Sequence, residues 1–164
     1  MDLTGTQRIY AFDPGGTTGV AVMSMPPGNV NAYMGTIATS TLTYAATFIH
    51  IEGVLRAQFK AGTLTPASVI FVFERFRLRP EARMQLTWND FPAVEKAGYI
   101  IYMAARLKVE LVEQSPAIMS HWADRILRKE CPIPLPGTEH EKDAIRHLLH
   151  FWFTMGGRHY YAKH

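Results

Sequence analysis

Arg8-Ile9-Tyr10-Ala11-Phe12-Asp13-Pro14-Gly15-Gly16-Thr17-Thr18-Gly19-Val20-Ala21-Val22 is the stretch on which the reading of the fold turns. Arg8 to Phe12 reads as a β-strand that stops at Asp13-Pro14-Gly15-Gly16, a cluster of turn formers. Gly19 to Met25 resumes as a second strand, and Pro26-Pro27-Gly28-Asn29 turns the chain again. Asn31 to Ala38 reads as a third, so the chain opens as an antiparallel meander. Asp13 is thereby left at the end of an apolar strand, facing a glycine turn.

From about Thr43 the period changes. Tyr44, Phe48, Ile51, Leu55 and Phe59 recur at spacings of three and four, one face of a helix that Gly62 and Pro66 end. Val69-Ile70-Phe71-Val72-Phe73 is a continuous apolar run, as expected of a strand covered on both faces. A helix is expected from about Pro92 to Leu107 with Val94, Ala97, Ile101 and Ala104 on its apolar side, then a strand over Val109 to Val112. Pro116 to Glu130 reads as helical. Thr138-Glu139-His140-Glu141 fits a capping box that opens a final helix running to about Thr154. The expected fold is α/β: a mixed five-stranded sheet, its first three strands antiparallel, flanked by helices.

With 164 residues the chain fits a single domain, 1–164. Its 48% hydrophobic and 19% charged content is that of a soluble globular protein. Cys131, the only cysteine, excludes an intramolecular disulfide and suits a reducing cytosol. No signal-peptide pattern opens the chain and no apolar run is long enough for a membrane span, so a cytoplasmic location and no membrane partner are expected. The net charge of +3 says little by itself. Its distribution says more: Arg75, Arg77, Arg79 and Arg83 crowd together after the apolar run, as a phosphate-contacting segment would. A basic solvated loop is the alternative.

Asp13, Glu74 and Asp143 are acidic where structural reasons for acidity are poor. Glu74 ends the most apolar run of the chain, where an ionised carboxylate is costly unless something positive pairs with it. Asp143 shares a stripe with His140, His147 and His150 on the last helix, beside apolar stripes Ala144-Leu148-Phe151 and Ile145-Leu149-Trp152. If the first and fourth strands are neighbours, Asp13 and Glu74 lie side by side and the last helix delivers Asp143 to them. Carboxylates converging on one point need cations, and oxygen donors favour Mg²⁺ or Mn²⁺, two of which can serve phosphodiester hydrolysis. Singly, each residue has a plainer explanation: a turn aspartate, an edge ion pair Glu74–Arg75, a helix-dipole partner.

Taken in order, these segments resemble the RuvC-like Holliday junction resolvases of the RNase H-like superfamily. Ala11-Phe12-Asp13-Pro14-Gly15 with Thr18-Gly19 resembles their opening, and Phe71-Val72-Phe73-Glu74 their fourth strand with its terminal glutamate. Ser115-Pro116 resembles their strand-to-helix junction, and His140-Glu141-Lys142-Asp143-Ala144 their last motif. The resemblance spans about Arg8 to Phe153, its middle in pattern only. It implies a metal-dependent, structure-selective endodeoxyribonuclease that cuts four-way DNA junctions and binds two Mg²⁺ or Mn²⁺ ions. Asp13, Glu74, His140 and Asp143 would be the catalytic and metal-binding residues, with His140 either a ligand or an acid/base.

A resolvase cuts two strands related by near two-fold symmetry, so a homodimer is expected, joined through the final helix or the one from about Pro92. Arg75, Phe76, Arg77, Arg79 and Arg83 would contact DNA, with Phe76 either a wedge between bases or a core residue under the loop. The compactness and divergent middle resemble bacteriophage or mobile-element members, which implies a bacterial or infected-host cytosol. His147 and His150 match no family motif and read as a polar helix face or as satisfied core histidines. Asp13 to Gly19 also resembles the phosphate motif of sugar kinases and actins, but those repeat the fold unit twice. Two alternatives share the fold: an RNase H-type enzyme acting on RNA–DNA hybrids, and a catalytically silent nucleic-acid-binding module.

Overall fold

The apolar runs of β1 (Gln7–Asp13) and β4 (Val69–Glu74) lie side by side and parallel, Arg8 to Phe12 against Val69 to Phe73. A computed structural model describes residues 7–25, 36–42, 45–75, 91–131, 133–135 and 137–156. Around the central pair, β2 (Thr18–Met25) runs antiparallel to β1, and β3 (Thr36–Leu42) antiparallel to β2. On the other side β5 (Glu110–Gln114) joins β4 in parallel, which gives the order β3-β2-β1-β4-β5. The helices are α1 (Ala45–Lys60), α2 (Phe91–Leu107), α3 (Asp124–Glu130) and α4 (Glu139–Phe151). This is the mixed, helix-flanked sheet that the sequence leads one to expect.

Alternation along the strands sorts the core into two layers. Tyr10, Phe12, Val20, Phe71 and Phe73 face α1 and α2, meeting Phe48, Leu55, Ile100 and Leu107. Tyr10 and Phe12 contact Phe71 edge-on, at centroid distances of 5.6 and 5.4 Å. Ile9, Ala11, Ala21, Met23, Ile70 and Val72 face the opposite way, onto α4 through Ala144, Ile145, Leu148, Leu149 and Phe151. Burying a large apolar side chain contributes about 1.5–3 kcal/mol, against about 1 kcal/mol net for a typical hydrogen bond. Packing therefore sets where α4 lies, and its polar contacts inherit that position.

Several expectations need correction. The third strand begins at Thr36 among the described residues, and residues 31–35 lie outside them. The inner face of α2 is Ala93, Ala97, Ile100, Ala104 and Leu107, whereas Val94 and Ile101 are exposed. That helix is apolar on both sides, so periodicity alone does not say which side is covered. Pro116 to Glu130 is not one helix: a 3₁₀ turn (Pro116–Ser120) precedes α3, whose N-cap is Ala123. At the start of α4 the Thr138 hydroxyl accepts from the Glu141 N–H at 3.3 Å and donates to the Glu141 carboxylate at 2.7 Å. The cap is thus closed between side chains rather than reciprocally onto backbone. After Phe151 the helix widens into a π-type turn (Trp152–Gly156).

Candidate active site

Two facts of β-geometry bring the site together. The alternation that turns Ile9 and Ala11 toward α4 turns Asp13 the same way, and on β4 it does so for Glu74 after Ile70 and Val72. Register then aligns them. Asp13 pairs with Gly19 of β2, Phe12 with Phe73, and Glu74 with Gln114 of β5. Gly19, Asp13, Glu74 and Gln114 consequently form one row across the sheet, on the face that α4 covers. Seven helical residues rise about 10.5 Å, close to two strand spacings of about 4.8 Å, so His140 and His147 come over opposite halves of that row.

His140 Nδ1 lies 2.7 Å from Asp13 Oδ2. His147 is fully buried, with Nε2 3.1 Å from Glu74 Oε2 and Nδ1 2.7 Å from Gln114 Oε1. Asp143 pairs with Arg146, whose guanidinium also pairs with Asp124 and donates from Nε to the Trp122 carbonyl at 3.0 Å. Each candidate carboxylate therefore has a basic partner on α4. The edge-pair explanation of Glu74 does not hold, because Arg75 approaches Glu113, at 3.4 Å. Nor is Asp143 a first-turn dipole partner, since Glu139 and Glu141 occupy that turn.

Gly19 is required by proximity. A Cβ there would lie 1.8 Å from the His140 carbonyl oxygen, so the first turn of α4 sits directly on β2. At Gly15 a Cβ would meet His140 Cε1 at 2.9 Å. The glycines of the opening motif make room for His140 to reach Asp13.

Asp13 is buried, and its carboxyl is held above the ordinary aspartate range. Burial is the largest cause, and the charges of Asp143 and Glu74 push the same way against the His140 hydrogen bond. A carboxyl raised in this way by burial and acidic neighbours would be relieved by a cation, and oxygen donors suit Mg²⁺ or Mn²⁺. The donor set fits such an ion in charge and chemistry. Among the described residues no three His, Cys, Asp or Glu side chains are gathered closely enough to form a ready-made metal group. Asp143 is turned to Arg146, and the carboxylates of Asp13 and Glu74 are each held by a histidine.

Of the expected DNA-contacting residues only Arg75 is described: it is exposed at the end of β4, its N–H bonded to the Gln114 carbonyl at 2.8 Å. Phe76, Arg77, Arg79 and Arg83 lie outside the described residues. Sequence reasoning gave no role to His147, Gln114 and Arg146. The signal available for His147 was its spacing of seven from His140; nothing local marked Gln114 or Arg146. His150 is half-buried, and its Nδ1 accepts from the Trp122 indole at 3.3 Å, which satisfies it within the core.

No family model and no curated protein matches the sequence. Among solved structures, the chain is similar to Thermus thermophilus RuvC in complex with a Holliday junction substrate. The TM-score is 0.58 at 13% identity, over 92% of this chain and 96% of that one. A second Thermus thermophilus RuvC structure aligns with a TM-score of 0.51 at 19% identity, covering 92% and 97%. At these identities the likeness establishes the fold, which is RNase H-like and of the RuvC type.

Proposed function

We propose that the chain is a metal-dependent endonuclease that cuts four-way DNA junctions, with Asp13, Glu74, His140 and Asp143 as its catalytic and metal-binding residues. One observation carries this reading. Asp13 and Glu74 end adjacent strands on one face of a RuvC-type sheet, and with Glu74 the Asp143 carboxylate of α4 is close enough to act electrostatically on Asp13. Their mutual repulsion is countered by His140, His147 and Arg146, and a bound cation would counter it further. A pair of Mg²⁺ or Mn²⁺ ions bound there would supply charge stabilisation to the attacking and leaving oxygens of a phosphodiester. The residues' own work is to hold charge in place: His140 orients Asp13, and the packing of α4 keeps both beside Glu74. Arg75 and the arginines after it would meet the phosphates, a role read from the salt dependence of junction binding.

Branched DNA as substrate is supported by the Holliday junction in the similar complex. A homodimer fits the near two-fold symmetry of a junction, and α2 is the available helix because α4 is buried against the sheet.

The test is separate replacement by the matching amide. Asp13→Asn and Glu74→Gln should each lower Mg²⁺-dependent cleavage of a synthetic junction by at least about a hundredfold, with gel-shift binding retained and the melting temperature not lowered. Asp143→Asn should lose cleavage and some stability, because Arg146 loses a charged partner. Near wild-type cleavage by Asp13→Asn, or full cleavage in EDTA, would end the assignment. Preference for an RNA–DNA hybrid over the junction would move the substrate to that duplex.

A further inference from the structure

Among the described residues His147 is the one histidine that is fully buried, on a helix face otherwise filled by Ile145, Leu148, Leu149 and Phe151. An imidazole there is costly unless both nitrogens are bonded. Both are, and the partners differ in kind. Nδ1 meets Gln114 Oε1 at 2.7 Å, and Gln114 is itself buried at the end of β5; Nε2 meets Glu74 Oε2 at 3.1 Å. Glu74 is the less buried end, with its side chain 26% exposed. Among the described residues its other oxygen, Oε1, has no hydrogen-bond partner. A buried histidine from α4, itself held by a buried glutamine of β5, thus grips one oxygen of a carboxylate whose other oxygen has no partner among the described residues.

We propose that His147, braced by Gln114, is the positioning residue for Glu74, fixing Oε2 so that Oε1 is presented to a divalent cation. The inference rests on the reading of Glu74 as a metal ligand. Its logic is that a ligand carboxylate binds well only when a second group holds its orientation, and losing that group typically weakens metal affinity about 10–100-fold. The row geometry provides the brace. Gln114 is in register with Glu74, and α4 brings His147 over both. Burial keeps water from competing for Oε2, so the restraint is stiffer than the contact to Asp13 from His140, whose side chain is 42% exposed. The ring acts on Glu74 alone and does not touch substrate.

The experiment is Mn²⁺ binding to the full chain by titration calorimetry, with melting curves of the metal-free proteins. In His147→Gln an amide nitrogen takes the place of Nε2 and keeps a donor to Glu74. His147→Asn reaches only the Nδ1 position, keeping Gln114 and losing Glu74. The Mn²⁺ dissociation constant should rise about tenfold or more in His147→Asn and stay within about threefold of wild type in His147→Gln. A histidine that only fills the core would give two variants of lowered melting temperature and wild-type affinity, and that result overturns the proposal. Should His147→Asn fail to fold, Gln114→Leu removes the brace instead, and unchanged affinity there is equally fatal. Wild-type protein that binds no Mn²⁺ removes the metal reading itself, an outcome visible without any variant.

Discussion

Asp13 is only 8% exposed, and its carboxyl ionises less readily than the ordinary aspartate value of 3.8 would allow, first through burial and then through Asp143 and Glu74. The folded protein therefore binds this proton more tightly than the unfolded chain. That contribution is fully present below 3.8 and is lost as pH rises through the folded value, so at neutral pH the ionised carboxylate opposes folding. Asp13→Asn should accordingly melt higher than wild type at pH 7 in EDTA. The gap should close toward pH 4, and Mg²⁺ should raise the melting temperature of wild type but not of the variant. Melting curves from pH 4 to 8 check this; a variant that melts lower throughout would make Asp13 a fold-supporting residue.

At the scale of elements, α2 ends on a conformational compromise. Lys108 has φ 57°, in the left-handed region, and it follows the last helical residue, Leu107. The Val109 N–H reaches back to the Ala104 carbonyl at 3.1 Å, closing the helix end in the way a glycine usually does. An L-residue there bears about 1–2 kcal/mol of strain, partly offset by the favourable charge of a lysine at a helix C-terminus. Lys108→Gly should stabilise by about 0.5–1 kcal/mol, since the strain relieved exceeds the added freedom of the unfolded chain. Lys108→Val should destabilise by a similar amount or more. Denaturant unfolding of both settles the matter, and a destabilised glycine variant would mean the lysine charge outweighs the strain.

On the molecular scale, the outer face of α2 is apolar where a lone domain would be polar. Val94, Ile101 and Tyr102 are 49%, 44% and 54% exposed, and with Gly98 they follow the i, i+4, i+7, i+8 spacing of one stripe. On the proposed two-fold assembly this stripe is the self-complementary surface. Ile101→Glu should then shift the protein from dimer to monomer in sedimentation at micromolar concentration, with its melting curve still cooperative. Symmetric cutting of a junction should fall while nicking of one strand persists. A wild-type protein that sediments as a monomer, or an Ile101→Glu dimer, would remove α2 as the interface.

The five strands, their order in the chain and the carboxylates at two strand ends were legible in the sequence because they depend on local signals: apolar runs, turn formers, and a charge where a run should stay apolar. Asp13 and Glu74 could be read as neighbours once β1 and β4 were taken as adjacent. What no local signal contains is cross-strand register and the side of a helix that meets the core. Those are set when two layers of side chains pack, and packing is a property of the whole chain. It turns Val94 and Ile101 outward on a helix with apolar residues on both sides, places α4 against Gly19 at a separation that admits no Cβ, and brings His147 to Glu74 and Gln114. The sequence determined that this protein would gather acidic groups on an RNase H-like sheet. Tertiary structure alone decided which histidine holds Asp13 and which holds Glu74, because partners separated by 127 and 73 residues meet only through the fold.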